Sequence, residues 1–127
     1  MKNESDTPGI APGAAGAVRM EPPELEPGHV RVLERMIGAG FEVVAFPRYA
    51  SHVGIRRGKC AVLLKAREDG GFEFFGEAVW MIEGNLAVKI VHGEKKFFVW
   101  KGARVEVTEE REKQLGSFRS EVEEILK

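Results

Sequence analysis

The sequence predicts an α+β protein, in which an antiparallel β-meander of five or six strands is flanked by an N-terminal helix and a C-terminal amphipathic helix. Three short turn signals, at 68–71, 83–85 and 92–94, divide residues 60–101 into four apolar runs rich in Val, Ile, Phe and Trp. Connections this short join antiparallel neighbours. The final segment carries one apolar stripe at helical spacing. A small, strongly curved, barrel-like sheet closed by the last helix is the alternative.

Residues 1–26 are expected to form a disordered tail, because they are rich in Pro, Gly and Ala and carry few bulky side chains. Such a segment cannot bury enough apolar surface to offset the entropy that is lost on ordering. Residues 27–127 are then predicted to form a single α+β domain, which is a sufficient length for one modest core.

The first helix is predicted to begin at Pro27, where the missing N–H costs nothing, and to end at the glycines 38 and 40. A strand is predicted over 41–46, because Pro47 closes that apolar run. The less regular stretch 47–59 is expected to add a short hairpin that leads into the meander.

The meander is predicted as four strands followed by an edge strand, over residues 60–66, 72–82, 86–91, 97–100 and 103–107. Gly76 interrupts the second of these strands and indicates a bulge or a close backbone approach. Consecutive aromatic residues in two strands place large side chains on both faces of the sheet. We therefore expect each helix to cover one face, and the alternative is a face that presents aromatic side chains to a partner.

The last helix is predicted to begin after Thr108, a favourable N-cap followed by two glutamates on the positive end of the helix dipole. Its apolar stripe needs a surface to pack on, and the sheet is the only large surface predicted. The stripe consists of Leu115, Phe118, Val122, Ile125 and Leu126.

Composition excludes several classes of protein. The net charge of -1 gives no global attraction to nucleic acid or membrane, and the single cysteine excludes an internal disulfide. The N-terminus lacks the apolar core of a signal peptide, and no apolar run approaches the length of a membrane span. We therefore expect a cytoplasmic protein that is not associated with a membrane and holds no cofactor.

The candidate site comes from an uneven distribution of charge. Residues 48–67 contain six basic and no acidic side chains, in a chain that is otherwise slightly acidic. Arginines beside an aromatic ring can hold phosphates and stack a base. Alternatively, these charges form a solvated face and pair with glutamates of neighbouring strands. The predicted ligand-binding residues are Arg48, Tyr49, His52, Arg56, Arg57 and Lys59.

Catalytic and metal sites are not predicted. Cys60 opens an apolar run and is expected to be a core residue, although the nearby Arg57 and Lys59 would suit a reactive thiolate. The three histidines, at 29, 52 and 92, lack ligand spacing and are interpreted as ordinary surface residues.

Three functional hypotheses remain. The first is a non-catalytic binding or interaction module that uses residues 48–59 or an aromatic sheet face to hold a protein or a small anionic ligand. The second is binding of single-stranded nucleic acid through residues 48–67. The third is a small enzyme that uses Cys60 or His52.

Overall fold

The computed structural model describes residues 23–127 and, before them, the backbone of two short strands that pair with each other, β1 (Lys2–Asn3) and β2 (Ser5–Asp6). The prediction of a disordered tail over 1–26 falls mostly on residues outside this description. Helix α1 spans Pro27–Gly38 and begins with its proline, as predicted. Helix α2 spans Glu109–Leu126 and is capped by Thr108, whose hydroxyl accepts the Arg111 N–H at 3.2 Å.

The strands between the helices confirm the α+β prediction. One short 3-10 turn, Pro47–Tyr49, interrupts their succession. The strands are β3 (Glu42–Val44), β4 (Val53–Arg57), β5 (Cys60–Ala66), β6 (Phe72–Ile82), β7 (Asn85–Leu86), β8 (Val88–His92), β9 (Lys95–Trp100) and β10 (Ala103–Glu106).

The meander is divided between two antiparallel sheets, a division that the sequence did not predict. One sheet has the order β3-β4-β5-β6-β7 and the other the order β10-β9-β8. The run predicted as one strand over 86–91 breaks at Ala87, which is buried and donates its N–H to the Trp80 carbonyl at 3.1 Å. Before this break the chain pairs with β6, and after it with β9.

Gly76 lies in the bulge that was predicted. Ala61 pairs with Val79, and Leu63 pairs with Phe75. An advance of two residues along β5 is therefore matched by four residues along β6. Gly76 has a φ of 83°, in the left-handed region that glycine adopts at little cost. The bulge bends β6 next to the break at Ala87.

Both helices pack into the same core, so the expectation that each covers a different face is wrong. Met36 of α1 and Phe118 of α2 belong to one buried cluster with side chains from both sheets. The ring centroids of Phe41 and Phe118 are 5.7 Å apart in an edge contact. Helix α1 is joined to the edge strand β3 by a short turn at Ala39 and Gly40, which keeps it beside α2.

The other face of the five-stranded sheet, here called the outer face, is covered by the chain itself. Its buried residues are Phe46, Ala61, Leu63 and Met81. The Phe46 ring lies on Gly54 of β4, where an added Cβ would come within 2.5 Å of that ring. Glycine at this position therefore lets the segment from Phe46 to Tyr49 lie flat on the sheet, and this positions Arg48 and Tyr49, two of the candidate site residues.

Within the part of the chain that the structure describes, neither helix combines the length and the apolar character that crossing a membrane requires.

Candidate functional site

The six predicted site residues divide between two sides of the five-stranded sheet. Ile55 of β4 is fully buried in the main core, so the side chain of Arg56 projects to the outer face and that of Arg57 returns to the core side. Arg48 and Tyr49 lie in the 3-10 turn that covers the outer face. The exposed Lys59 lies in the turn between β4 and β5, beside α2.

Two of the predicted arginines form ion pairs with glutamates. The guanidinium of Arg57 donates to both carboxylate oxygens of Glu121 in α2 at 2.9 Å, and lies 4.4 Å from the centroid of the Phe41 ring. The hydrogen bond from Arg57 lowers the pKa of Glu121. Arg56 donates to Glu42, its cross-strand neighbour in β3. Arg56 is therefore paired with a glutamate of a neighbouring strand, as the alternative interpretation of the basic residues expects, whereas Arg57 is paired with a glutamate of helix α2.

His52 contacts an exposed aromatic ring. Its imidazole lies 4.0 Å from the ring of Phe75, with an angle of 32° between the two planes, and its Nδ1 lies 3.2 Å from the Ser51 hydroxyl. Phe75 is 44% exposed. His52 therefore forms part of a half-exposed aromatic surface at the bulge in β6.

Arg48 and Tyr49 line a cleft of about 500 Å³ between the 3-10 turn, β7 and the end of β9. We call it the Trp100 cleft. Its walls combine residues that are distant in sequence, because the bend at Ala87 brings the β9–β10 turn against the 3-10 turn. The lining residues are Phe46, Pro47, Arg48, Tyr49, Asn85, Leu86, Val88, Trp100 and Lys101.

Two cations lie close to the indole ring of Trp100. The guanidinium of Arg48 is 5.6 Å from the ring centroid, and the ammonium of Lys101 is 5.4 Å from it. Both distances are within the range of cation–π attraction. None of the lining residues is acidic. The Trp100 cleft therefore offers an apolar floor and an electropositive rim in one place.

The backbone of Lys101 is unusual for a side-chain-bearing residue. Its φ is 43°, in the left-handed region, and the turn continues through Gly102 with a φ of 84°. Asn and Gly adopt this conformation more readily than lysine does. The fold therefore holds a lysine at the cleft in a position where glycine or asparagine would be more stable.

A smaller, apolar cavity of about 190 Å³ adjoins the cleft and shares Tyr49, Leu86 and Val88 with it. Phe75 and Gly76 of the bulge form its other side. Together, the two cavities extend from the basic rim to the aromatic surface at His52.

A third concavity of about 660 Å³ lies on the opposite side of the sheet, between α2 and the β4–β5 turn. Arg57, Lys59, Cys60 and Trp80 line it. Burial raises the pKa of the Cys60 thiol and the nearby Arg57 only partly opposes this, so the thiol form is favoured. His52 is not among the lining residues, and the structure therefore does not bring His52 and Cys60 together.

His29 is buried, which corrects its interpretation as a surface histidine. It is 3% exposed, its Nδ1 accepts the Glu26 N–H at 2.9 Å, and its Nε2 lies 2.7 Å from the Arg67 carbonyl oxygen. It thus ties the start of α1 to the β5–β6 turn. Among residues 23–127, no three His, Cys, Asp or Glu side chains are grouped as a metal site would require.

Of the residues that line the Trp100 cleft, the sequence singles out Arg48 and Tyr49 as candidates but not Trp100, Lys101 or Asn85. These three residues lie far along the chain, and no local pattern links them to the basic residues of 48–67. The signal that was available is the Lys101-Gly102 turn after an aromatic strand, because a lysine in such a turn is uncommon. No protein-family model, curated protein or solved structure significantly matches this chain.

Proposed function

We propose that this chain is a non-catalytic binding module, and that its Trp100 cleft holds a ligand that combines an anionic group with a planar apolar part. The observation that carries the proposal is the placing of Arg48 and Lys101 beside the Trp100 indole, in a cleft without an acidic lining residue. The anionic group would meet the two cations, and the planar part would lie on the aromatic and aliphatic floor.

The dimensions of the cleft suit a small ligand or a single side chain. A volume of about 500 Å³ lies in the range of small-molecule sites. The Asn85 side-chain amide donates to the Glu83 carbonyl at 3.0 Å, which leaves its oxygen available to accept a hydrogen bond from a ligand. An anion alone would leave the apolar floor unused, and an uncharged ring would leave the cations without a partner.

The basic side chains of residues 48–67 point in different directions, and this supports the proposed function over the two alternatives. A nucleic-acid strand needs several cations along one track, whereas Arg56 and Arg57 project to opposite faces and pair with Glu42 and Glu121. An enzyme that used Cys60 would need a thiolate, which burial of this thiol disfavours.

Calorimetric titration with phenyl phosphate tests the proposal, because this probe joins an anion to a planar ring. A probe of this size is expected to bind in the range of about 1 mM. Arg48→Gln should weaken binding about tenfold, which corresponds to the loss of one charge-assisted contact. Inorganic phosphate alone and phenol alone should each bind more weakly than the joined probe.

Lys65→Gln is the matched control, because it removes an exposed cation of β5 that does not line the cleft. This variant should bind phenyl phosphate as the unchanged protein does. An equal loss in the Arg48 and Lys65 variants would mean that the probe senses only net charge, and the proposed cleft would be rejected. Absence of binding by the unchanged protein would reject it as well.

A further inference from the structure

The cavity that adjoins the Trp100 cleft lies where the two sheets separate. Strand β7 pairs with β6 only at Met81 and Ile82, and after the break at Ala87 the chain pairs with β9 instead. Among the residues that the structure describes, Phe75–Val79 of β6 therefore has no strand partner on the side away from β5. The cavity of about 190 Å³ occupies the space between this part of β6 and the start of β8.

The lining of this cavity is apolar. Of the described residues that line it, only Glu77 carries a charge, and Glu77 is exposed. Phe75 of β6 and Val88 of β8 are 44% and 61% exposed, although both line the cavity. Two large apolar side chains are thus partly in contact with water at a concave site, and an apolar group that covered them would be stabilised there.

The cavity is too small to be a separate binding site. Small-molecule sites in proteins begin at about 300 Å³, whereas this cavity has about 190 Å³. It shares Tyr49, Leu86 and Val88 with the Trp100 cleft. It is therefore an extension of the cleft, and its occupant must be part of the molecule that the cleft holds.

The lining residues give the order of the groups along the combined site. Trp100 and Lys101 line the cleft alone, whereas Phe75 and Val79 line the cavity alone. The three shared residues lie between these two ends. A ligand whose anion lies beside the cations, with its ring on the floor of the cleft, therefore directs the far end of the ring toward the cavity.

We propose that the cavity is a subsite for an apolar tail, so that the ligand of the Trp100 cleft is an aryl anion with a short aliphatic chain. This inference rests on the proposed function, because the tail reaches the cavity only when the anion and the ring are bound in the cleft. An aliphatic chain suits the lining since it needs no hydrogen-bond partner, whereas a polar chain would exchange its hydration for mainly apolar neighbours.

Calorimetric titration with 3-propylphenyl phosphate and 4-propylphenyl phosphate, compared with phenyl phosphate, tests the subsite. All three probes carry the same anion and ring, so any difference reports on the tail. Each buried methylene group raises affinity roughly fourfold, and ordering of the chain removes part of that gain. The better of the two propyl probes should therefore bind about tenfold more tightly than phenyl phosphate.

Phe75→Ala removes one wall of the cavity. Because Phe75 is 44% exposed, its truncation leaves the buried core intact. In this variant the advantage of the propyl probe over phenyl phosphate should fall to about twofold. Val91→Ala is the matched control, because it truncates a 69% exposed side chain of β8 that is not among the described residues lining either cavity. This variant should keep the tenfold advantage.

The position of the tail can be measured in the unchanged protein. Nuclear Overhauser contacts should join the propyl methyl group to the Phe75 ring. Binding of phenyl phosphate without any gain for the propyl probes would overturn the subsite and leave the proposed function standing, whereas absence of binding by all three probes would overturn both. The subsite is also overturned if Phe75→Ala and Val91→Ala reduce the propyl advantage equally, or if the methyl group contacts Trp100 and not Phe75.

Discussion

Lys101 connects the stability of the chain to its proposed binding. Because a left-handed φ of 43° costs a lysine free energy that an asparagine largely avoids, Lys101→Asn should stabilise the fold by about 1 kcal/mol. The same change removes one of the two cations beside Trp100, and binding of phenyl phosphate should weaken about tenfold. Chemical denaturation and calorimetric titration measure the two effects. A variant that binds the probe as tightly as before would remove Lys101 from the site.

The Arg57–Glu121 pair should give the fold a pH dependence. The hydrogen bond from Arg57 holds the pKa of Glu121 below its ordinary value of 4.5. As the pH falls, this carboxylate is therefore protonated in the unfolded chain before it is protonated in the folded protein. The stabilisation is present above pH 4.5 and is lost as the pH falls through the pKa of the folded state. Denaturation across this range should therefore show the advantage over Glu121→Gln shrinking in acid.

Glu123→Gln serves as the control for that measurement, because Glu123 lies on an exposed part of the same helix. Its stability relative to the unchanged protein should vary less with pH. A difference between the unchanged protein and Glu121→Gln that does not depend on pH would show that the ion pair contributes nothing to the fold in solution.

At the scale of elements, α2 contributes three buried side chains, Leu115, Phe118 and Val122, to the main core. Phe118 is 2% exposed and packs on Phe41, so Phe118→Ala should destabilise the fold by about 3–5 kcal/mol, measured by chemical denaturation. Ser120→Ala changes an exposed position of the same helix and should alter stability by less than about 0.5 kcal/mol. Small and equal effects at both positions would contradict the packing of α2.

The elements that were predicted correctly have local signals. The hairpin turns, the Thr108 cap and the bulge at Gly76 depend on residues within a few positions of each other. The break at Ala87 does not depend on such a local pattern, because it arises where the two sheets meet around one core. The shared side of the two helices is likewise set by packing between Met36 and Phe118, which no local pattern encodes.

The candidate site could be predicted only in part for the same reason. Arg48 and Tyr49 were candidates because charge and aromatic character are visible in a short window of sequence. Their partner Trp100 lies far along the chain and reaches them only through the bend between the sheets. Conversely, Arg56 and Arg57 belong to the basic block in sequence, but the alternation of β4 separates their side chains in space.

At the scale of the whole molecule, the start of the folded region can be tested by truncation. Glu26 donates its N–H to the buried His29, and its carbonyl accepts the Val30 N–H at 3.1 Å. Removal of residues 1–26 should therefore lower the melting temperature by about 4–8 °C, as expected for the loss of a helix cap. Removal of residues 1–22 should leave it unchanged. Equal melting temperatures for the two truncated chains would contradict the role given to Glu26.

The central claim, that the Trp100 cleft binds an anion joined to a planar ring, is tested most directly by the indole N–H signals of the two tryptophans. Trp100 lines the cleft, whereas Trp80 lines the concavity beside α2, so Trp80 serves as an internal control. In a nuclear magnetic resonance titration with phenyl phosphate, the Trp100 signal should shift and saturate while the Trp80 signal stays in place. A Trp100 signal that does not move, or a Trp80 signal that moves equally, would contradict the account.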